Sequence, residues 1–264
     1  METDDEATVT AGIGWRLRPL ITHITPIRPI TPISPKKSKV MHYPLITTSF
    51  SPEAVILGNG DFPTAAAIPL AALANARYVC CCDGAAAGYI SRGFVPDAIV
   101  GDGDSLSKEL KEKYHDILHI VSEQEDNDLT KATRHCLSMG FRSIAYVGAT
   151  GRREDHTLGN ISLIERYRNE MGIDAVMLTD HGYFFAAEGD AEFDTFAGQQ
   201  VSIFNFSCGK IESSGLKWHS YAYGSWWQGT LNEAEGTGVK FSADGSYLVF
   251  FTYDGKNRHG LSCR

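Results

Sequence analysis

Between residues 53 and 180 short apolar runs alternate with longer stretches of helical character. The runs AVILGNGD, YVCCCDG, DAIVGDGDS, SIAYVGAT and DAVMLTD each break at glycine or aspartate, and LHIVSE is a sixth. Unbroken apolarity over so few residues reads as a strand buried on both faces. The stretches between them read as helices. TAAAIPLAALANA is alanine-rich, and Pro69 within it predicts a kink or a break. DGAAAGYISRG ends at Gly93, NDLTKATRHCLSMG at Gly140 and HTLGNISLIERYRNEMG at Gly172, each a glycine suited to a helix C-terminus. SKELKEKYHDI is charged and amphipathic. This alternation implies parallel βαβ units with helices on both faces of a sheet.

The pattern changes twice. After about Tyr183 the helical stretches stop, and short alternating runs rich in Phe, Tyr and Trp are separated by glycine turns. They predict an antiparallel β-sandwich. Before about residue 50, ITHITPIRPITPISPKKSK places proline every few residues, which removes backbone donors and predicts an extended or disordered segment. Met41 just beyond it is a candidate start of the functional chain. The expected fold is therefore α/β: an N-terminal parallel-sheet, Rossmann-like domain over residues 51–185 and a C-terminal antiparallel β-sandwich domain over 186–256, flanked by a low-complexity segment (1–50) and a tail (257–264).

Composition narrows the function classes. The formal charge of −8 argues against nucleic-acid binding, which needs basic side chains facing phosphates. A nucleotide can still bind an acidic protein through a cation. Cys80, Cys81 and Cys82 are adjacent in an apolar run, and neighbours on a strand point to opposite faces. Reduced, packing cysteines and a cytoplasmic location are expected. No run reaches the ~18 apolar residues of a membrane span, and the acidic N-terminus lacks the apolar core of a signal peptide.

In a doubly wound sheet, ligands gather beyond the carboxyl ends of the strands. Asn59 and Asp61 follow the first run, Asp83 the second, and Asp102 with Asp104 the third. Gln124 to Asp128 follow the fourth, and Arg152 to His156 the fifth. In an extended chain, Asp102 and Asp104 would lie on one face about 6.6 Å apart. Such a pair gains from a shared Mg²⁺, which takes few carboxylates and completes its shell with water and phosphate. In isolation, D-x-D is equally an ordinary surface turn. One of Asp126, Asn127 and Asp128 is expected to cap the helix that follows. Capping does not require the crowding, however: Asp97 to Asp128 holds ten carboxylates and three lysines. Strand-end carboxylates without counter-charge raise one another's pKa, and a cation relieves that. Arg152 and Arg153 carry donor forks suited to phosphate oxygens. The structural alternative there is a capped helix with surface arginines.

Four motifs occur in order: CCDGAA at 81–86, PDAIVGDGDS at 96–105, QEDNDLTKA at 124–132 and GATGRREDHTLGN at 148–160. SSGLKW at 213–218 and GTLNE at 229–233 follow. In order and spacing, across roughly residues 54 to 254, the chain resembles the thiamine pyrophosphokinases. The resemblance implies transfer of a pyrophosphoryl group from ATP to thiamine, giving thiamine diphosphate and AMP. It implies Mg²⁺ held by Asp102, Asp104 and Asp128, with Asp83, Arg153 and Asp155 also catalytic and His156 an organiser behind them. Asn59, Gln124, Lys131 and Arg153 would be binding residues, with Asp83 and Gln124 contacting metal, nucleotide or acceptor. Ser214, Trp218 and Asn232 would contact thiamine, with the Trp218 indole as a cation–π platform. Trp226 and Trp227 are assigned to packing or an interface. The family's shared acceptor site implies a homodimer, with no nucleic-acid or membrane partner. Two positions depart from the pattern: Arg152 stands where a glycine is usual, and crowds or supplements the phosphate contact; Leu231 stands where a serine is usual. A different Mg²⁺-dependent D-x-D transferase would explain the acidic rim but not SSGLKW. A non-catalytic thiamine or nucleotide sensor would retain the pockets without turnover. A carbohydrate-binding module would use the aromatic β-region and leave residues 54–180 idle.

Overall fold

The computed structural model describes residues 40–64 and 66–255. The expectations for residues 1–39 and for the tail 257–264 lie outside these. The chain runs β1 (Met41–Tyr43), β2 (Ala54–Leu57), α1 (Ala67–Asn75), β3 (Val79–Cys82), α2 (Asp83–Ser91), β4 (Ala98–Gly101) and α3 (Lys108–Lys113). β5 (Leu118–Ile120), α4 (Asp128–Ser138), β6 (Ser143–Val147), α5 (Glu154–Asn169) and β7 (Asp174–Leu178) complete the α/β part. Strands then follow, interrupted by a short 3-10 turn at Trp226–Gly229: β8 (Gly182–Glu188), β9 (Ala191–Asp194), β10 (Gln199–Asn205), β11 (Ile211–Ser214), β12 (Asn232–Glu233), β13 (Gly238–Ala243) and β14 (Ser246–Gly255).

One ten-stranded sheet carries the molecule, in the order β12-β10-β14-β8-β7-β6-β2-β3-β4-β5. From β7 to β5 all neighbours are parallel. The chain winds outward from β2 to β5 on one side, then crosses to β6 and β7 on the other. The order therefore reverses between β2 and β6, and a crevice opens there at the carboxyl ends. β2, β3 and β4 are buried at every residue, as their unbroken apolar runs require. Each fully buried aliphatic side chain contributes roughly 1.5–3 kcal/mol relative to exposure. The cysteines follow suit: Cys80, Cys81, Cys82, Cys136 and Cys208 are free and buried.

Three local expectations change. Pro69 does not break α1, because it sits in the helix's first turn, where its missing N–H has no intrahelical partner. Residues 40–50 are not disordered: β1 pairs in parallel with β9, Tyr43 and Ile46 are buried, and the Tyr43 ring stacks on Phe193 at 4.6 Å. The isoleucine–proline character of the preceding stretch masked where packing begins. The division at residues 185/186 falls inside β8, which pairs antiparallel with β7 and carries the sheet on into β14 and β10.

A second sheet, β1-β9-β13-β11, provides the other layer of the sandwich. Aromatic rings join the layers, with Phe193 against Phe251 at 5.3 Å and Phe241 against Tyr247 at 5.4 Å. Among the described residues no helix is long and apolar enough to cross a membrane.

Candidate active site

Backbone contacts zip two loops together at the crevice. Gly60 N donates to Gly148 O at 2.6 Å and Asp61 N to Thr150 O at 2.8 Å. A Cβ on Gly60 would lie 2.2 Å from Thr150 O, so only glycine permits this approach. The loop after β6 is then tied to α4. Asn160 on α5 donates to Ala149 O at 2.8 Å and accepts from Asn127 Nδ2 at 3.1 Å. Asn127 is also the N-cap of α4, accepting from Thr130 N at 3.0 Å. Capping therefore falls to the neutral member of Asp126-Asn127-Asp128, and the two carboxylates have other partners. Asp126 accepts from Arg166 at 2.9 Å and also from Arg134. Those guanidinium groups, Arg166 foremost, hold its carboxyl below the ordinary range. Asp128 faces the crevice beside Lys131, with Nζ to Oδ1 at 3.4 Å. Lys131 is 3% exposed, a buried ammonium whose nearest carboxylate is that of Asp128.

The acidic turn after β4 is built on Asp83. This side chain is buried and accepts from Gly103 N at 2.8 Å. A Cβ on Gly101 would fall 2.6 Å from Asp83 Cγ, so the invading carboxylate needs glycine at that position. Burial, and then the charge of Asp128, push the Asp83 carboxyl up. Asp102 moves the opposite way: the Asp104 amide donates to its Oδ1 at 3.0 Å, and Gln124 Nε2 stands at 3.5 Å from its Oδ2. Asp102 is therefore ionised at neutral pH.

These loops enclose a cavity of about 430 Å³. Asn59, Asp102, Gln124, Asp128, Lys131 and Arg153 all line it, as does His156. The structure thus brings six expected site residues from distant parts of the chain to one wall. Asp83, Asp104 and Asp155 do not line it. Asp83 lies beneath the turn it shapes, and Asp155 binds Arg153 bidentately at 2.6 and 3.1 Å. Asn127 and Asn160, which clamp the loops and line the same cavity, were not among the expected site residues, although Asn127 was one of three candidate caps. Both stand inside quoted motifs, where amides beside charged neighbours drew less notice.

Among the described residues no three carboxylate, histidine or cysteine side chains converge as a complete metal cage. Of the expected triad, Asp102 and Asp128 line the cavity and Asp104 does not, its amide donating to Asp102. Two carboxylates and the Gln124 amide still suit a hard cation that takes its remaining oxygens from water and phosphate.

The residues expected to contact thiamine lie elsewhere. Ser214 ends β11 and is exposed. Asn232 is buried, accepts from Trp218 N at 3.2 Å and donates to Trp218 O at 2.7 Å. It clamps the backbone that presents Trp218, a residue 50% exposed whose ring carries the Lys217 ammonium at 5.1 Å. Trp226 packs on Phe206 at 5.5 Å, whereas Trp227 is exposed. No residue from 213–233 lines the cavity.

Comparison with known proteins matches both halves of the chain. The family model "Thiamin pyrophosphokinase, catalytic domain" matches residues 70–177, and "Thiamin pyrophosphokinase, substrate-binding domain" matches residues 182–250. Thiamine pyrophosphokinase 1 of Oryza sativa subsp. japonica is 30% identical over 179 residues, 59% of this chain and 65% of the rice protein. Thiamin pyrophosphokinase 1 of Caenorhabditis elegans is 32% identical over 102 residues, 35% of this chain and 42% of its own. The matched stretches thus span just under two thirds, and less than half, of these relatives. Among solved structures, thiamin pyrophosphokinase from Candida albicans superposes with a TM-score of 0.65 at 18% identity, covering 84% of this chain and 95% of its own. The Bacillus subtilis protein gives 0.62 at 21%, covering 76% and 99%. At these identities the structures speak for the two-part fold alone.

Proposed function

The chain belongs to the thiamin pyrophosphokinase family, and from that premise we propose that its crevice transfers a pyrophosphoryl group from ATP to the hydroxyl of thiamine. The observation that carries this reading is the single cavity wall shared by Asp102, Gln124, Asp128, Lys131 and Arg153. Acidic groups that suit a hydrated cation stand there with basic groups that suit a polyphosphate.

The thiamine oxygen attacks the β-phosphorus. The bond from that phosphorus to the α–β bridging oxygen breaks, and AMP leaves with that oxygen. The hydroxyl proton passes to a carboxylate of the crevice. Asp102, held low, suits cation binding better than proton acceptance. Mg²⁺, when bound, would be held by Asp102 and Asp128 and would neutralise charge on the flanking phosphate oxygens. Arg153, oriented by Asp155, and Lys131 place further positive charge along the chain of phosphates. Asp83 acts as a positioning residue through the turn it supports. Rate enhancement arises from orientation and preorganised charge, without a covalent intermediate.

Trp218 supplies a flat face that already attracts the Lys217 ammonium, and thiamine is a flat cation of the same appeal. Because this face is not part of the cavity wall, a second copy of the chain completes the site in a homodimer. The test incubates the protein with ATP, Mg²⁺ and thiamine and resolves the products. AMP with thiamine diphosphate is expected. ADP would move attack to the γ-phosphorus and overturn the proposal, as would the absence of any product.

A further inference from the structure

Three cationic side chains line the crevice, and they are not equally committed. The ammonium of Lys131 has Asp128 at 3.4 Å. Arg153 has spent its fork on both oxygens of Asp155, at 2.6 and 3.1 Å. Arg152 differs from both. Its one hydrogen bond runs from Nη1 to Asn59 Oδ1, a neutral amide, at 2.9 Å. Asp61 makes a looser, exposed ion pair, 3.9 Å from its Nε and beyond hydrogen-bond reach. Among the described residues, Arg152 is thus the arginine of the crevice wall with hydrogen-bond donors still to give, its acidic neighbour Asp61 being loosely paired.

Its position adds to this. The Asn59–Arg152 pair forms a partition between the cavity of about 430 Å³ and a neighbouring one of about 410 Å³, and both residues line both spaces. The partition stands on the two zipped loops, one from β2 and one from β6, at the point where the strand order reverses. A ligand reaching from one space into the other must pass this guanidinium.

We propose that Arg152, a residue outside the glycine-bearing pattern that this chain resembles, positions the nucleotide: its guanidinium exchanges the Asn59 amide for an oxygen of the polyphosphate. The inference rests on the reading of the crevice as an ATP site. The exchange is favourable because an anionic acceptor makes a stronger, shorter hydrogen bond than a neutral one. Little is lost in return, since Asn59 can turn to solvent or to the same ligand. Arg152 touches no atom that changes bonding in this scheme, so it acts on binding and orientation of the nucleotide.

The experiment uses the full chain and compares wild type, Arg152→Gly and Arg152→Lys. Mg·ATP binding is followed by calorimetry, and both substrates are followed by steady-state kinetics. Arg152→Gly is expected to weaken Mg·ATP binding and raise the nucleotide KM by roughly tenfold, the scale of one charge-assisted hydrogen bond. kcat and the thiamine KM should stay within about twofold. Arg152→Lys, which keeps the charge and loses the fork, should fall between the two. Because the Arg152 side chain is 59% exposed, the difference should shrink as salt rises. Equal nucleotide KM in wild type and Arg152→Gly, or an equal rise in the thiamine KM, would overturn this assignment alone. A wild-type chain that binds no Mg·ATP would overturn the ATP reading with it.

Discussion

The two halves of the large sheet handle polarity in opposite ways. In the parallel half, charged groups are drawn inward and partnered. Asp83 is 1% exposed and Lys131 3% exposed, and each has its hydrogen-bond or ionic partner at the mouth of the crevice. The β-strand half that follows instead turns large aromatic groups outward: Trp218, Tyr221 and Trp227 are each at least half exposed, whereas the side chains exposed to that degree in the parallel half, such as Val95 and Ile120, are aliphatic. The contrast follows from strand direction. Parallel strands deliver every carboxyl end, and hence every following loop, to one edge. Antiparallel strands divide their loops between both edges, so the second half offers a surface where the first offers a pocket. A pocket can be complete in one chain, whereas exposed aromatic faces suit the contact between copies that the proposed homodimer requires.

The largest effect should come from breaking the pocket half. Asp128→Asn should lower turnover by at least ~100-fold, the scale of removing one preorganised electrostatic group. Thermal melting should show the protein still folded. A near-normal rate would remove Asp128 from the catalytic wall. Co-expression with Trp218→Ala then tests whether the halves serve one another between copies. Trp218→Ala alone should raise the thiamine KM by about tenfold, between the exposed and the desolvated scale of a cation–π contact. In mixed dimers one site of two is intact, so at low thiamine the mixture should regain roughly a quarter of wild-type activity. Activity no higher than the mean of the two variants would mean that each chain uses its own two halves.

The parallel half was the more legible in sequence, for the same physical reason. Strands buried on both faces must be apolar at every position, and β2, β3, β4, β6 and β7 announce themselves as unbroken runs. The residues after them were then located by topology alone. Which of them face the cavity was not legible. Asp104 carries the motif as visibly as Asp102 does, yet its amide turns the chain so that Asp102 faces the crevice. The continuity of the sheet through β8 was hidden too. A tight turn at Asp180 and His181 joins β7 to its antiparallel neighbour, and apolar runs do not state the direction in which they pair. In the aromatic half, alternation gave the class of structure but not the clamp of Asn232 on Trp218, which depends on two loops meeting.

A smaller effect should sharpen the view that the antiparallel half is shaped for contact. Leu231 has φ of 65°, the only positive value among the described non-glycine residues, and it is 70% exposed. A left-handed conformation costs a leucine roughly 1–2 kcal/mol; the exposed side chain gains little from packing, and a 3.3 Å bond from its amide to Ser202 Oγ is available to glycine as well. Leu231→Gly should therefore stabilise the isolated chain by about 0.5–1 kcal/mol, after allowance for the glycine's greater freedom when unfolded. Chemical denaturation would read this as a higher midpoint at unchanged slope. If the strain is kept for contact between copies, the same variant should weaken self-association in sedimentation. A destabilised variant with unaltered association would separate Leu231 from both roles.

The smallest effect belongs to the outer end of α4, the helix whose first turn carries Asp128 and Lys131. His135 in its last turn is half-buried, with Tyr78 Oη at 2.9 Å from Nε2 and the His119 ring at 4.4 Å. Desolvation first, and then His119, hold its pKa below the ordinary 6.5. Below about pH 6.5 the unfolded chain gains a proton at this position that the folded chain resists, so stability falls as pH falls through that window. It levels off once pH passes below the folded pKa, where both states are protonated. Above 6.5 neither state is charged and the contribution is constant. His135→Gln keeps a hydrogen-bonding amide for Tyr78 and removes the titration, so its melting temperature should decline less than that of wild type between pH 7 and pH 5. Parallel declines in the two proteins would place the acid sensitivity in other groups and leave α4 without a part in it. A flattened decline, with the pH dependence of turnover unchanged, would show that this histidine cluster holds the helix while the chemistry is confined to the opposite end.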